Sequence, residues 1–324
     1  MKIGVSSRWA HAVFGGVATL AAWTLVAQTA LQFQSLQRLT NGDTVLKLTA
    51  PTNLNFRIDA STNLAAWRAV YSLKSSGVYQ QTDSAAIFLG SRFYRASQLE
   101  GTNLIVGDHF PTDQGDVVVR PIQHASILLT WNGKVIYNDP SEGAFTGLPK
   151  ADLILISHSH GDHFNANVIA TLRNTNTILI APQAVYSSLS ATLKAQTIVM
   201  SNGTVTNALG INIEAIPAYN SNHPLGTGNG YVVTLGGTRL YFAGDTGDIK
   251  EMRALQNIDV AFVCINTPFT MTMAQAVSAV REFRPKVVIP YHFRNSDGTY
   301  TDLNAFKRQV GTDVGVEVRP RKLY

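Results

Sequence analysis

The chain has 324 residues, of which 45% are hydrophobic and 15% charged, with a formal net charge of +5. This composition supports a folded core and excludes a disordered polyelectrolyte, and the length accommodates one large domain with a smaller companion. Lys and Arg never run longer than two residues, so the basic patch of a nucleic-acid binder is missing, while mild basicity favours anionic small molecules.

In chain order, Lys2 and Arg8 precede an apolar stretch, Ala12 to Ala27, interrupted by Gly and Thr. It is short for a membrane span and reads as a signal peptide or an uncleaved N-terminal anchor over residues 1–30. A periplasmic or secreted location is the expectation. Residues 31–99 change texture. TVLKLTA, NFRIDAS, RAVYSLK and SRFYRAS alternate and are separated by Asn-Gly, Pro-Thr-Asn and Ser-Ser-Gly turns. They predict a small β-sandwich module with Trp67, Phe93 and Tyr94 as core or corner aromatics. This stretch resembles β modules appended to exported bacterial proteins. It holds no cluster of ligand-type residues. Residues 100–115 read as a connector.

From residue 116 to 324, apolar runs alternate with helical segments. SILLTW, KVIYN, DLILIS, TILIA, RLYFAG, VAFVCI and KVVIPY read as strands buried on both faces. TMTMAQAVSAVREFRP reads as a helix opened by a capping box, Thr272 with Gln275, with Met273, Val277, Val280 and Phe283 on its apolar face. DLNAFKRQVG reads as a second helix, burying Leu303, Phe306 and Val310 and stopping at Gly311. The fold class is α/β. Cys264 is the single cysteine, so no Cys pair exists for a disulfide or a structural zinc site.

ILISHSHGDHF places His158, His160, Asp162 and His163 within six positions, directly after a buried strand. Packing rewards one satisfied histidine, not three beside a carboxylate. Imidazole and carboxylate are metal ligands, and a loop at the carboxyl end of an α/β strand is where ligands bind. His158 and His160, two apart on an extended segment, point the same way; the adjacent Asp162 and His163 point apart and can serve a second ion. Other ligand-type residues also follow strands: Asp139 in YNDP, Asp245 in AGDTGD and His292 in PYHF. His223 lies in the loop YNSNHPLGTGNG. Asp139 is either a support for a ligating histidine or a turn aspartate before Pro140, and His124 either faces the site or caps a strand. His11 and His109 have no assigned role.

The order H-x-H-x-D-H, lone His, G-D-T and P-Y-H resembles the metallo-β-lactamase-fold hydrolase superfamily from about Asp116 onward. HASILLTWNGKVIYNDP and NGYVVTLGGTRLYFAGDTGDIKEM look most like its ascorbate-phosphate lactonase-like and N-acyl-phosphatidylethanolamine phospholipase D-like branch. The resemblance implies an αββα sandwich behind the β module. It implies two divalent metal ions, with zinc expected and manganese or iron compatible. His158, His160 and His223 would hold the first, Asp162, His163 and His292 the second, and Asp245 would bridge them. A metal-bridging hydroxide would attack an ester, lactone or phosphodiester in a small-molecule or lipid-like substrate, with Asp162 and His124 as catalytic candidates.

The alternatives are a β-lactamase and a non-catalytic metal scaffold with a partner-binding β module. Asp245 stands where lactam-cleaving members of the superfamily generally lack a bridging carboxylate, which favours lactones and phosphoesters. A flavo-diiron oxidoreductase would have a carboxylate at position 160 and a flavin domain. A nuclease fits neither an exported chain nor the missing basic arm.

Overall fold

The computed structural model describes residues 10–12, 31–101 and 104–323; the remainder of the expected leader lies outside them. The chain divides into two compact units, one ending at Phe110 and one spanning Pro111–Tyr324. Among the described residues no helix is long and apolar enough to cross a membrane.

The first unit is all-β apart from one short 3₁₀ turn. Its strands are β1 (Ala10–Ala12), β2 (Gln32–Arg38), β3 (Thr44–Thr49), β4 (Asn55–Ser61), β5 (Arg68–Lys74), β6 (Val78–Asp83), β7 (Phe93–Leu99) and β8 (Asp108–Phe110). β2, β3 and β6 make one antiparallel sheet. β1, β7, β4, β5 and β8 pair antiparallel in a second. The two pack a shared core in which Leu46 and Leu48 of the first sheet meet Phe56, Ile58, Leu73 and Tyr94 of the second. Trp67 and Phe93 are half-buried, and the Arg95 guanidinium lies 4.6 Å from the Trp67 ring centroid. β8 falls inside the stretch read as a connector. In the second unit the next residues, Thr112 and Asp113, pack against Gly236, where Asp113 N donates to Gly236 O at 2.9 Å.

The second unit has two mixed sheets. The first is β9 (Val117–Gln123), β10 (Ser126–Trp131), β11 (Lys134–Asn138), β12 (Leu153–Leu155), β13 (Ile178–Ala181) and β14 (Thr197–Val199), antiparallel from β9 to β11 and parallel from there on. Between β12 and β14 run α1 (Ala166–Leu172), α2 (Gln183–Ser188) and α3 (Ala191–Lys194). The second sheet is β15 (Val205–Ala208), β16 (Ile211–Ala218), β17 (Gly228–Leu235), β18 (Thr238–Phe242), β19 (Val260–Cys264), β20 (Val287–Tyr291) and β21 (Glu317–Val318). It is antiparallel to β18 and parallel beyond, with α4 (Lys250–Arg253), α5 (Met273–Phe283) and α6 (Leu303–Val310) crossing between the parallel strands. Leu153 to Ile156 are fully buried, as the unbroken apolar run requires for a strand covered on both sides. This is the α/β sandwich that the sequence predicts.

α5 has the expected capping box, Thr272 with Gln275. Its buried stripe differs from the predicted one: Ala276, Ala279, Val280 and Phe283 are buried, while Met273 and Val277 are half-buried. The two alanines lie at i, i+3 on the packed face, so the helix turns about one position from the reading that followed its larger side chains. In α6, Phe306 and Val310 are buried and Leu303, in the first turn, only half so.

The sheets meet where the site forms. Tyr231 on β17 donates from its hydroxyl to the Ile156 carbonyl at 2.9 Å, and Asn229 N donates to the Ser157 carbonyl at 2.9 Å. The loop leaving β12 is thereby tied to the facing sheet.

Candidate metal centre

Each predicted ligand lies just past a strand end. His158, His160, Asp162 and His163 follow β12; Asp245 follows β18; His292 follows β20; His223 sits in the loop between β16 and β17. The structure brings all seven together. Ring centroids of His158 lie 4.7 Å from His160, 4.2 Å from His163 and 4.9 Å from His223. His223 Nε2 is 3.1 Å from His160 Nδ1. The Asp245 carboxylate stands between two groups: Oδ2 is 3.7 Å from both His158 Nε2 and His223 Nε2, and Oδ1 is 3.1 Å from His163 Nε2 and 3.3 Å from His292 Nε2. Asp162 Oδ2 lies 3.4 Å from His292 Nε2.

The outer layer fixes the histidines. Asp139 Oδ1 accepts from Ser157 N at 2.7 Å, and its Oδ2 accepts from Ser157 Oγ at 2.8 Å and His163 Nδ1 at 2.9 Å. His158 Nδ1 lies 3.0 Å from the same Ser157 hydroxyl. His223 Nδ1 donates to Asn220 Oδ1 at 3.0 Å, and Asn220 Nδ2 donates to the Asp245 carbonyl at 2.9 Å. With their Nδ1 atoms engaged outward, His158, His163 and His223 turn their Nε2 atoms inward. Asp139 is therefore a support for a site histidine. Ser157 and Asn220 escape sequence reasoning because a serine after a strand and an asparagine in a turn are ordinary residues there.

His124, at the β9–β10 turn, faces the site: its Nε2 is 3.1 Å from Asp162 Oδ2 and its ring centroid is 3.8 Å from that of His292. With Asp162, His163 and His292 it forms a four-residue group able to hold a cation; His158, His160 and His223 form another, and His158, His163 and Asp245 a third. His124, Asp139 and His292 all have left-handed backbone, at φ 54°, 43° and 47°. Non-glycine residues in that region are uncommon and cluster where side chains must be aimed.

Charge is distributed to suit cations. Burial alone would raise the Asp245 carboxyl, but His163 and His292 outweigh it and hold it below the ordinary carboxylate range. Burial likewise opposes ionisation of Asp162, yet the hydrogen bond from His124 and the neighbouring His292 imidazole keep it ionised. Burial, then the neighbouring His163, holds His158 well below the usual imidazole value and keeps it neutral. His158 Nε2, His163 Nε2, Asp245 Oδ1 and both His292 ring nitrogens are buried without a hydrogen-bond partner. Such orphaned polar atoms facing one another are costly unless something binds them, and this set of nitrogens and carboxylate oxygens fits divalent metal.

A family model described as a beta-lactamase superfamily domain matches residues 119–292. The chain belongs to the metallo-β-lactamase superfamily. It is 30% identical over 208 residues to a UPF0173 metal-dependent hydrolase of Thermococcus onnurineus, covering 60% of this chain and 92% of that one. It is 32% identical over 215 residues to a UPF0173 metal-dependent hydrolase of Thermus thermophilus, covering 62% and 94%. Among solved structures, a Parabacteroides distasonis protein assigned as a metal-dependent hydrolase matches with TM-score 0.61 and 38% identity, over 67% of this chain and 99% of that one. Igni18, a metallo hydrolase of Ignicoccus hospitalis, matches with TM-score 0.55 and 26% identity, over 64% and 95%. The chain is thus a metal-dependent hydrolase of this superfamily, using divalent metal.

Proposed function

We propose that the protein is an exported hydrolase that holds two divalent cations and cleaves an ester, lactone or phosphodiester in a small-molecule or lipid-like substrate. The observation that carries this reading is the placement of Asp245 between two groups of imidazoles, with the buried nitrogens of His158, His163 and His292 around it lacking partners. His158, His160 and His223 would hold one cation and Asp162, His163 and His292 the other, with Asp245 available to both. The all-N/O donor set suits zinc, with manganese and iron as alternatives. When bound, the cations supply Lewis acidity, bringing the pKa of water from about 16 to about 7 and polarising the scissile group.

The chain's own residues do the positioning. Ser157 and Asp139 lock the rings of His158 and His163. Asp162, with a side chain 33% exposed, is the acidic ligand most open to the cavity, and His124 Nε2 holds its Oδ2 in place. Asp162 is kept ionised, so it accepts a hydrogen bond from the attacking water and aims it. His124 stands behind it and keeps the carboxylate aimed.

A panel of a bis-aryl phosphodiester, an aliphatic lactone and a chromogenic cephalosporin tests the reading. Turnover of the first or second should be abolished by a chelator, restored by zinc or manganese, and reduced at least about a hundredfold in Asp162→Ala. Turnover that survives chelation, or that is confined to the cephalosporin, would contradict it.

A further inference from the structure

The ligands form the floor of a cavity of about 540 Å³ whose walls include Asn222, Asn266, Phe269 and Arg294. Among its lining residues Arg294 is the only Lys or Arg. Its guanidinium Nη2 lies 3.1 Å from Glu142 Oε1 and 3.3 Å from Oε2, and both side chains are partly exposed. Its backbone, by contrast, is fixed: Asn266 Nδ2 donates to the Arg294 carbonyl at 2.6 Å, and Arg294 bridges to Tyr300. Asn266 is 3% exposed, and its Oδ1 has no hydrogen-bond partner although the residue lines the cavity. The wall is thus built with an anchored arginine and an unspent polar atom beside the metal ligands.

We propose that Arg294 is a specificity-determining residue that receives an oxyanion of the substrate, a carboxylate or phosphate group, in exchange for Glu142. The inference rests on the functional reading above and names the substrate class it leaves open. A guanidinium presents a planar fork that matches the oxygens of either group. A partly exposed ion pair is a weak tether, so a ligand oxyanion displaces Glu142 at little cost. The apolar remainder of the ligand rests against Phe269. Glu142 meanwhile keeps the cationic side chain ordered and discourages neutral ligands from occupying the wall.

Calorimetric binding of phenylphosphonate, benzoate and neutral benzamide to the intact protein tests this at equal, elementally verified metal content. In the wild type both oxyanions, or one of them, should bind more tightly than benzamide. Arg294→Ala should reduce that preference roughly tenfold to a hundredfold, the effect of losing a hydrogen bond to a charged group, and Glu142→Gln should increase it. Whichever oxyanion loses more in Arg294→Ala identifies the substrate group. Equal preference in all three proteins would overturn the proposal. Should Arg294→Ala fail to fold, an unchanged preference in Glu142→Gln overturns it alone. Turnover is not read, so an inactive wild type would refute the hydrolytic reading and leave the binding result standing.

Discussion

Asp139 is the residue on which the histidine cluster turns. It is fully buried, has φ 43°, and holds both the Ser157 backbone and the His163 ring. Asp139→Asn keeps the volume but weakens the acceptor that makes His163 Nε2 a good ligand. Metal affinity should fall roughly tenfold to a hundredfold, measured by competition with a chromogenic chelator. Cys264 behaves oppositely: it is fully buried and its thiol is pushed up to about 12, first by burial and then by Asp245. It should resist alkylation at pH 8 in the native protein and react fully in denaturant, as a mass shift would show. At this scale the candidate ligands were legible because three histidines and an aspartate at short spacing have few other uses. The supports were less so. Asp139 read equally well as a turn residue, and the left-handed backbone of His124, Asp139 and His292 leaves no mark on composition.

Elements carry the same contrast. β12, β19 and β20 were legible as unbroken apolar runs because both faces are covered. β16 and β17 were not among the predicted strands: INIEAIPA carries Pro217, and GNGYVVTL opens with two glycines. Gly230 has a physical reason there, since a Cβ would lie 2.9 Å from the Phe242 carbonyl oxygen and 3.0 Å from that of Ala243. Gly230→Ala should cost about 1–3 kcal/mol of stability by overpacking, read from the denaturant midpoint. The α5 capping box was legible from Thr272 and Gln275 alone. Thr272→Ala should cost about 1 kcal/mol by the same measurement, with metal content unchanged, because the cap lies outside the ligand set.

At the scale of the whole molecule, the second unit has the size of a complete hydrolase. The Thermococcus and Thermus relatives are covered to 92% and 94% of their length by 60% and 62% of this chain. A fragment starting at Pro111 should therefore fold cooperatively and retain the metal content and turnover of the full chain; an insoluble or metal-free fragment would tie the β module to the hydrolase fold. The proposal of export rests on Lys2, Arg8 and the apolar run after them.

In the proposed centre, Asp245 and six further side chains gather two cations at the strand ends. Elemental analysis of the purified protein, alongside Asp245→Ala, tests it most directly. Close to two divalent metal ions per wild-type chain, and one or fewer in the variant, are expected. A wild-type protein that saturates at a single ion under metal-replete conditions, or a variant that still holds two, would contradict it.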